Sequence, residues 1–528
     1  MIMRQFKFFL IFLLGFSFQG EAKNLLLFTI DSCRADRFGK DLTPAIDQWA
    51  KSGAVFTNAY STSAWTAPGL VSILSGLYPP IHGVNNRDHT GPETLFTMPK
   101  LFQEKGYQVP NLNFFTFAPY YSQLGLPPID RKYFGETEGE ALLNWLRVNA
   151  SSEKPPFFVW FHSTIVHQPY RPSPEALPDT RENLEKSPGI KAVLNGAIVP
   201  YGSTVFQPED KPVLDILYNE EIRRVDRLFR QVLEILEKAG QTEQTLIVLT
   251  ADHGEELLDH GFVGHASTSL NAKLYEELVH IPLILSWPGR IQPGQVVQTP
   301  VSQVDIFPTI GDLMSLSLKT DFDGINLFDA PNNRSIYYES VVAGNQTPKD
   351  RTDEWIRAIR KGRFKYISNG KLFDLLLDPG ERQDLSSGEP TTVDRLQTEL
   401  SNWMEESLFR RDKLFPRQAE NAIALDNSNS CPNIYTPGNQ SVLDYDIHTG
   451  ALLFDWSGDM ETTYLVEYDI GVGDHHVAGT YEVQGNHQIM GPLPRELWTD
   501  LKAWNPFRIR ISPKTEPRCW SQWVEFRF

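Results

Sequence analysis

Two aspartates stand where buried strands should end. Asp31 closes the apolar run NLLLFTI, and Asp252 follows the run TLIVLT. His253 comes next, and His260 and His265 lie in the same stretch, ADHGEELLDHGFVGH. Carboxylate oxygens and neutral imidazole nitrogens are good ligands for a divalent cation. Thr66 offers a different chemistry. It sits in SAWTAPGLVSILSG, where Pro68 in a first turn and the apolar VSIL predict a helix that begins just after Thr66. Free backbone N–H groups at a helix start favour an anion, and a hydroxyl beside a metal can lose its proton and attack. Thr66 reads equally well as a plain N-cap, so both roles stay open. His162 and His167, in WFHSTIVHQPY, follow another strand. They could hold an anion or protonate a leaving group, or each could be a structural histidine bonded to backbone.

These side chains need elements that bring them together. Residues 24–410 alternate strand-like and helix-like patterns. Residues 24–31, 156–162, 245–250 and 281–286 are short apolar runs of buried-strand type. Thr43-Pro44 opens a helix that should stop by Gly53. Residues 211–238 form a long amphipathic helix, with Leu214, Leu217, Ile222, Val225, Leu228, Val232 and Ile235 at helical spacing. The pattern predicts an α/β domain whose central sheet is mostly parallel and covered by helices on both faces. Ligands of such sheets bind beyond the carboxyl ends of the strands, where Asp31 and Asp252 stand. A helix over about 391–411 ends this region. Beyond residue 431, LLFDW, TYLVEY, FRIRI and WVEFRF read as short strands of a β-sandwich resembling a fibronectin type III domain. The expected organisation is a leader over 1–22, a catalytic domain over 23–413, a linker over 414–430 and the sandwich over 431–528.

Composition narrows the partners. A formal net charge of −17 repels nucleic acid and anionic lipid, so neither is an expected partner. It also gives no long-range attraction for an anionic substrate, so an anion site must be built locally. Arg4 and Lys7 precede the apolar run FFLIFLLGFSF, and small residues follow at Gly20 and Ala22. This is the pattern of a cleaved signal peptide, which implies export to a periplasmic or extracellular space. No later stretch is long and apolar enough to span a membrane, so no stable span is expected after cleavage. Export permits a disulfide, and Cys431 and Cys519 are the natural pair, with two buried thiols as the alternative.

Taken together and in this order, the motifs resemble the sulfatase family of the alkaline phosphatase superfamily. The likeness rests on LLLFTIDSCRADRFG, GAVFTNAYSTS, SILSGLYPPIHGV, LFQEKGYQ, HSTIVHQPYRPS, TLIVLTADHGEELLDHG, YEELVHIPLILSWPGRI and VDIFPTIGDL. It covers roughly residues 24–385. The resemblance implies one divalent metal ion (Ca, Mg, Mn or Zn) held by Asp31, Thr66, Asp252 and His253. It implies Thr66 as nucleophile, with His167 near the leaving group and His265 lining the pocket. His162, His82 and Lys273 lie in matching segments and are expected to contact substrate. The implied substrate is a small anionic ester, or a sulfated or phosphorylated glycan or lipid.

The departures from the family pattern concern the nucleophile. Sulfatases usually carry a Cys or Ser there, oxidised to formylglycine, with Pro and Arg two and four residues on. This chain has Thr66, Pro68 and Leu70. Threonine cannot become the aldehyde hydrate, so its adduct must be cleaved by water or another acceptor. That resembles the phosphodiesterases, phosphonate ester hydrolases and phosphoryl transferases of the superfamily. Ser163, four residues before His167, lacks the carboxylate that two-metal relatives place there, which favours one metal. A catalytically inactive binding protein is the alternative of another class. The missing arginine favours it, and the intact Asp31, Thr66, Asp252 and His253 set opposes it.

Overall fold

A computed structural model describes residues 24–415, apart from residue 40 and the segments 86–88, 114–117, 130–136, 319–320 and 342–354, together with the strands and short connections between 434 and 527. The leader over 1–22, nearly all of the expected linker, and Cys431 and Cys519 lie outside the described residues. The chain divides into two compact units: Met1–Phe114 with Gln123–Ser407, and Phe115–Ser122 with Leu408–Phe528.

The first unit is built on a six-stranded sheet. Its strands are β1 (Asn24–Ile30), β2 (Ala54–Phe56), β3 (Phe158–Ser163), β4 (Thr245–Ala251), β5 (Leu283–Ser286) and β6 (Gln295–Val297). Their spatial order is β6-β2-β5-β4-β1-β3. Every residue of β1, β3 and β4 is buried, as continuous apolar runs require when both faces of a sheet are covered. β1 runs parallel to both β3 and β4, and β6 runs parallel to β2. β5 departs from the expected direction, pairing antiparallel with β2 and β4. An apolar run buried on both faces reads alike in either direction, so IPLILS carried no sign of this.

Helices α1 (Pro44–Ala50), α2 (Thr66–Ser75), α3 (Glu138–Asn149), α4 (Asp210–Lys238) and α5 (Ile306–Leu313) surround the sheet. α4 buries Leu214, Leu217, Tyr218, Ile222, Val225, Phe229 and Val232 along one stripe. Burying each such side chain contributes roughly 1.5–3 kcal/mol relative to leaving it in water. Phe229 meets Phe28 of β1 edge-on at 5.3 Å and Trp49 of α1 at 4.9 Å, which fixes both helices against the sheet. A four-stranded antiparallel sheet follows: β7 (Ser335–Val341), β8 (Trp355–Lys361), β9 (Phe364–Ile367) and β10 (Lys371–Asp374). α6 (Pro390–Leu414) lies on it, with Trp403 stacked flat on Tyr337 at 4.5 Å.

In the second unit, Ile434–Thr436, Leu452–Trp456 and His487–Met490 form a three-stranded sheet. Ser441–Val442, Val524–Arg527, Phe507–Pro513, Thr463–Val472 and His475–Gln484 form a five-stranded one. Trp456 of the first sheet is buried and packs edge-on at 5.7 Å against Tyr464 of the second. Two mainly antiparallel sheets joined by apolar packing make a β-sandwich. Among the described residues, no helix is long and apolar enough to cross a membrane.

Candidate active site

Strand register brings the two aspartates side by side. Ile30 of β1 is level with Ser163 of β3 and Ala251 of β4, so Asp31 and Asp252 are the first residues beyond neighbouring parallel strand ends. The Asp31 amide still donates to the Ser163 carbonyl at 2.9 Å, which holds the chain in line for one more residue. Ser32 then turns sharply, with φ at 59° in the left-handed region. This turn aims its amide at Asp252 Oδ1, 3.1 Å away, and its hydroxyl at Asp31 Oδ1, 2.9 Å away. The Tyr218 hydroxyl, from α4, donates to the Ser32 carbonyl at 2.6 Å and pins the turn from below.

Thr66 enters from the opposite side. Trp65 is the extended N-cap of α2 and makes no side-chain capping bond, so Thr66 is the first helical residue. Its hydroxyl faces His253 Nε2 at 3.2 Å instead of capping the helix. Gly69 permits the approach. A Cβ built there would lie 2.6 Å from the Asp252 carbonyl oxygen, so any larger residue would push α2 away from the strand ends.

The donors converge beyond the strand ends. His253 Nδ1 lies 2.7 Å from the Gly254 carbonyl, which can only accept, so Nδ1 carries the hydrogen and Nε2 the lone pair. Burial holds this imidazole down to about 4, neutral at ordinary pH. Its Nε2 lies 3.4 Å from Asp252 Oδ2 and 3.6 Å from Asp31 Oδ1. Asp252 Oδ2 is buried and has no hydrogen-bond partner. Burial, reinforced by the charge of Asp31, pushes Asp252 above the usual carboxylate range. Asp31 is also fully buried, but His167, His162 and His253 hold it well below that range. Two buried carboxylates, an imidazole lone pair and a hydroxyl facing one another are costly without a cation between them. The orphaned Asp252 oxygen and the oxygen-rich donor set therefore fit a divalent metal ion.

The remaining histidines divide into groups. His162, paired with Thr29 in the β1–β3 register, places Nδ1 2.9 Å from the Thr29 hydroxyl. Its Nε2 points at the carboxylates, 3.3 Å from Asp31 Oδ2 and 3.8 Å from Asp252 Oδ2. Asp31, His162 and Asp252 thus form a ligand-type group of their own, a distinction from His167 that only strand register reveals. The His265 ring lies 4.4 Å from the His253 ring, and the His167 ring lies 5.0 Å from His265. Glu255 was not anticipated. It is buried, and its Oε1 lies 3.0 Å from His265 Nδ1. Burial raises its carboxyl to about 8. Its signal was positional, since it falls between His253 and His265 in one loop.

One expected contact, His82, lies apart from the centre. His82 is buried behind α2, where its Nδ1 accepts from the Val84 amide at 3.1 Å and its Nε2 meets the Ser72 hydroxyl at 3.1 Å. Those bonds tie it to the middle of α2, well along the helix from Thr66. Lys273 is half-buried in the loop leading to the short helix Glu276–Val279. His260 also leaves the cluster, with its Nε2 3.1 Å from the Gly380 carbonyl.

A mixed α/β sheet with a carboxylate–imidazole–hydroxyl centre beyond its strand ends is the architecture of the alkaline phosphatase superfamily. Within it, the chain belongs to the sulfatase family: the family model "Sulfatase" matches residues 23–316, more than half the chain. A second model, "N-sulphoglucosamine sulphohydrolase, C-terminal", matches residues 271–408. Arylsulfatase K of Bos taurus is 25% identical over 341 residues, covering 57% of this chain and 58% of the relative. The match therefore spans little more than half of that relative's length. Among solved structures, the phosphonate monoester hydrolase of Agrobacterium radiobacter aligns at a TM-score of 0.58 and 19% identity, covering 73% of this chain and 96% of that one. A protein solved with its substrate D-glucosamine-2-N,6-O-disulfate aligns at 0.57 and 19% identity, covering 76% and 100%.

Proposed function

We propose that this chain is an exported, metal-dependent hydrolase that cleaves a sulfuric or phosphoric ester through Thr66. The observation that carries the reading is the Thr66 hydroxyl, 3.2 Å from His253 Nε2 at the buried carboxylate pair. Asp31, Asp252 and His253, with Thr66, would hold one divalent ion, and His162 is a further donor aimed at the same carboxylates. Such an ion supplies Lewis-acid polarisation of the hydroxyl and of an ester oxygen.

The chain's own groups perform the rest. Thr66, fixed at the first turn of α2, releases its hydroxyl proton to solvent as its oxygen bonds to sulfur or phosphorus and the ester bond to the organic part breaks. The amides at the start of α2 face the charge that builds on that group. His167 donates a proton to the departing ester oxygen, so the organic part leaves as a neutral alcohol. His265 then takes a proton from water as the water oxygen attacks sulfur or phosphorus and passes it to the departing Thr66 oxygen, which releases the anion and restores the Thr66 hydroxyl, while His167 regains its proton from solvent.

Phosphorus is the favoured electrophile over sulfur on two residues. Threonine cannot use the elimination open to a formylglycine hydrate, and Leu70, buried, stands where the family places an arginine. The likeness to an arylsulfatase and to a phosphonate monoester hydrolase supports the wider class. A phosphodiester or a phosphoryl acceptor other than water fits the same chemistry. The substrate is a small anionic ester or a sulfated or phosphorylated glycan or lipid.

Thr66→Ala should lower turnover of aryl phosphate, phosphonate and sulfate esters by at least about 10³-fold. Steady-state rates on the three matched esters make the test. Unchanged turnover in that variant overturns the mechanism, and the ratio of the wild-type rates decides between phosphorus and sulfur.

A further inference from the structure

The sequence groups His260 with the metal-type residues of its loop, but the fold carries it to a separate place. The hairpin of Glu256–Leu257 and Val263–Gly264 turns the loop so that the His260 ring lies flat on Tyr275. The ring centroids are 3.7 Å apart and the planes differ by 3°. His260 Nε2 faces the Gly380 carbonyl at 3.1 Å. A carbonyl only accepts, so Nε2 carries the hydrogen and Nδ1 of the neutral ring carries the lone pair. That lone pair points at two carboxylate oxygens, 3.4 Å from Glu256 Oε2 and 3.5 Å from Glu277 Oε2.

Two further observations bear on what lies between them. The Glu256 side chain is fully buried and the His260 and Glu277 side chains are each only 10% exposed. Glu277 Oε2 nevertheless has no hydrogen-bond partner. The separations are also longer than a charge-assisted hydrogen bond, which runs at about 2.7–2.9 Å. They match instead the edge of roughly 3.3 Å between ligands that each lie about 2.0–2.1 Å from one tetrahedral ion. A ring nitrogen tied by its other N–H to a backbone carbonyl is the usual arrangement of a metal-bound histidine.

We propose that Glu256, His260 and Glu277 form a second cation site, for a zinc-type divalent ion, distinct from the Asp31–Asp252 centre. Two carboxylates and one imidazole suit Zn²⁺ better than Ca²⁺ or Mg²⁺, which take oxygen-only shells. The ion would fasten the hairpin, which carries Glu255 and His265 on its flanks, to the segment around Glu277. Its role is structural, and it stands whether or not Thr66 is the nucleophile.

The test uses full-length protein, stripped with chelator, loaded with ZnCl₂ and dialysed. Metal content by plasma mass spectrometry should be one equivalent lower in His260→Ala and in Glu277→Gln than in wild type. Asp252→Asn should keep that equivalent. Diffraction at the zinc edge should place an anomalous peak within about 2.3 Å of His260 Nδ1. Wild-type zinc content in both variants, or no peak at that position, overturns the proposal and leaves His260 as a protonated ring paired with two glutamates. Glu277→Gln keeps the shape of the side chain, so the comparison survives if His260→Ala fails to fold.

Discussion

At the scale of single residues, the site depends on small groups as much as on reactive ones. Gly69→Ala would set a methyl 2.6 Å from the Asp252 carbonyl oxygen. Overpacking of this kind costs about 1–3 kcal/mol. Urea denaturation should show that loss, and kcat should fall because Thr66 moves with α2. On the role proposed for His265, Glu255 positions its ring from 3.0 Å, and Glu255→Ala should lower kcat by about 10- to 100-fold with KM little changed. Glu255→Gln, which keeps a hydrogen-bonding partner for the ring, should recover part of it. A rise in KM with kcat unchanged would show that Glu255 serves binding only. Asp31 and Asp252 stood out because they end apolar runs, and Thr66 because it stands at the start of a helix. The partners of the histidines were not. His162 belongs to the carboxylates only through its register with Thr29, and His260 leaves the cluster only because Gly380, far along the chain, receives its N–H.

At the scale of elements, the two catalytic loops are clamped by charge. Arg34, just beyond β1, meets Asp259, beyond β4, at 2.6 Å, and also holds Asp36 at 2.9 Å. Burial opposes ionisation of Asp259, but Arg34 holds its carboxyl below the ordinary value. A carboxyl whose folded pKa is depressed stabilises the fold fully above about pH 4 and loses that contribution as pH falls through the folded value. Asp259→Asn should therefore be less stable than wild type at pH 7, and the difference should shrink towards pH 3. Thermal unfolding at both pH values checks it; an equal gap at each would remove the ion pair from the explanation. The elements were largely readable. Strands 24–31, 156–162 and 245–250 and the helix over 211–238 follow from apolar spacing, and each lies within a residue or two of the expected position. The antiparallel direction of β5 was not readable, because burial on both faces erases any trace of chain direction.

At the scale of the whole chain, the division expected near residue 413 is a proposal about independent folding. The family models end at residue 408, and none of the described strands beyond 434 joins the central or four-stranded sheet. A fragment of residues 23–413 should unfold cooperatively and turn over a small aryl ester at a rate within about tenfold of the full chain. Calorimetry and kinetics on that fragment decide it; an aggregated or inactive fragment would make the C-terminal unit part of the catalytic fold. Chain composition carried the broad class, while the separation of units had to be read from strand pairing.

The register of β1 between its two neighbours has a consequence for how such a chain can change. Side chains alternate from face to face along a strand, so one residue added to or lost from Asn24–Ile30 would swing Asp31 through half a turn. The loops beyond the strand can lengthen, shorten or exchange residues and still meet the same centre. The strand itself has a fixed count, and insertion scanning along it should switch activity off in a single step where the neighbouring loops show only gradual decline.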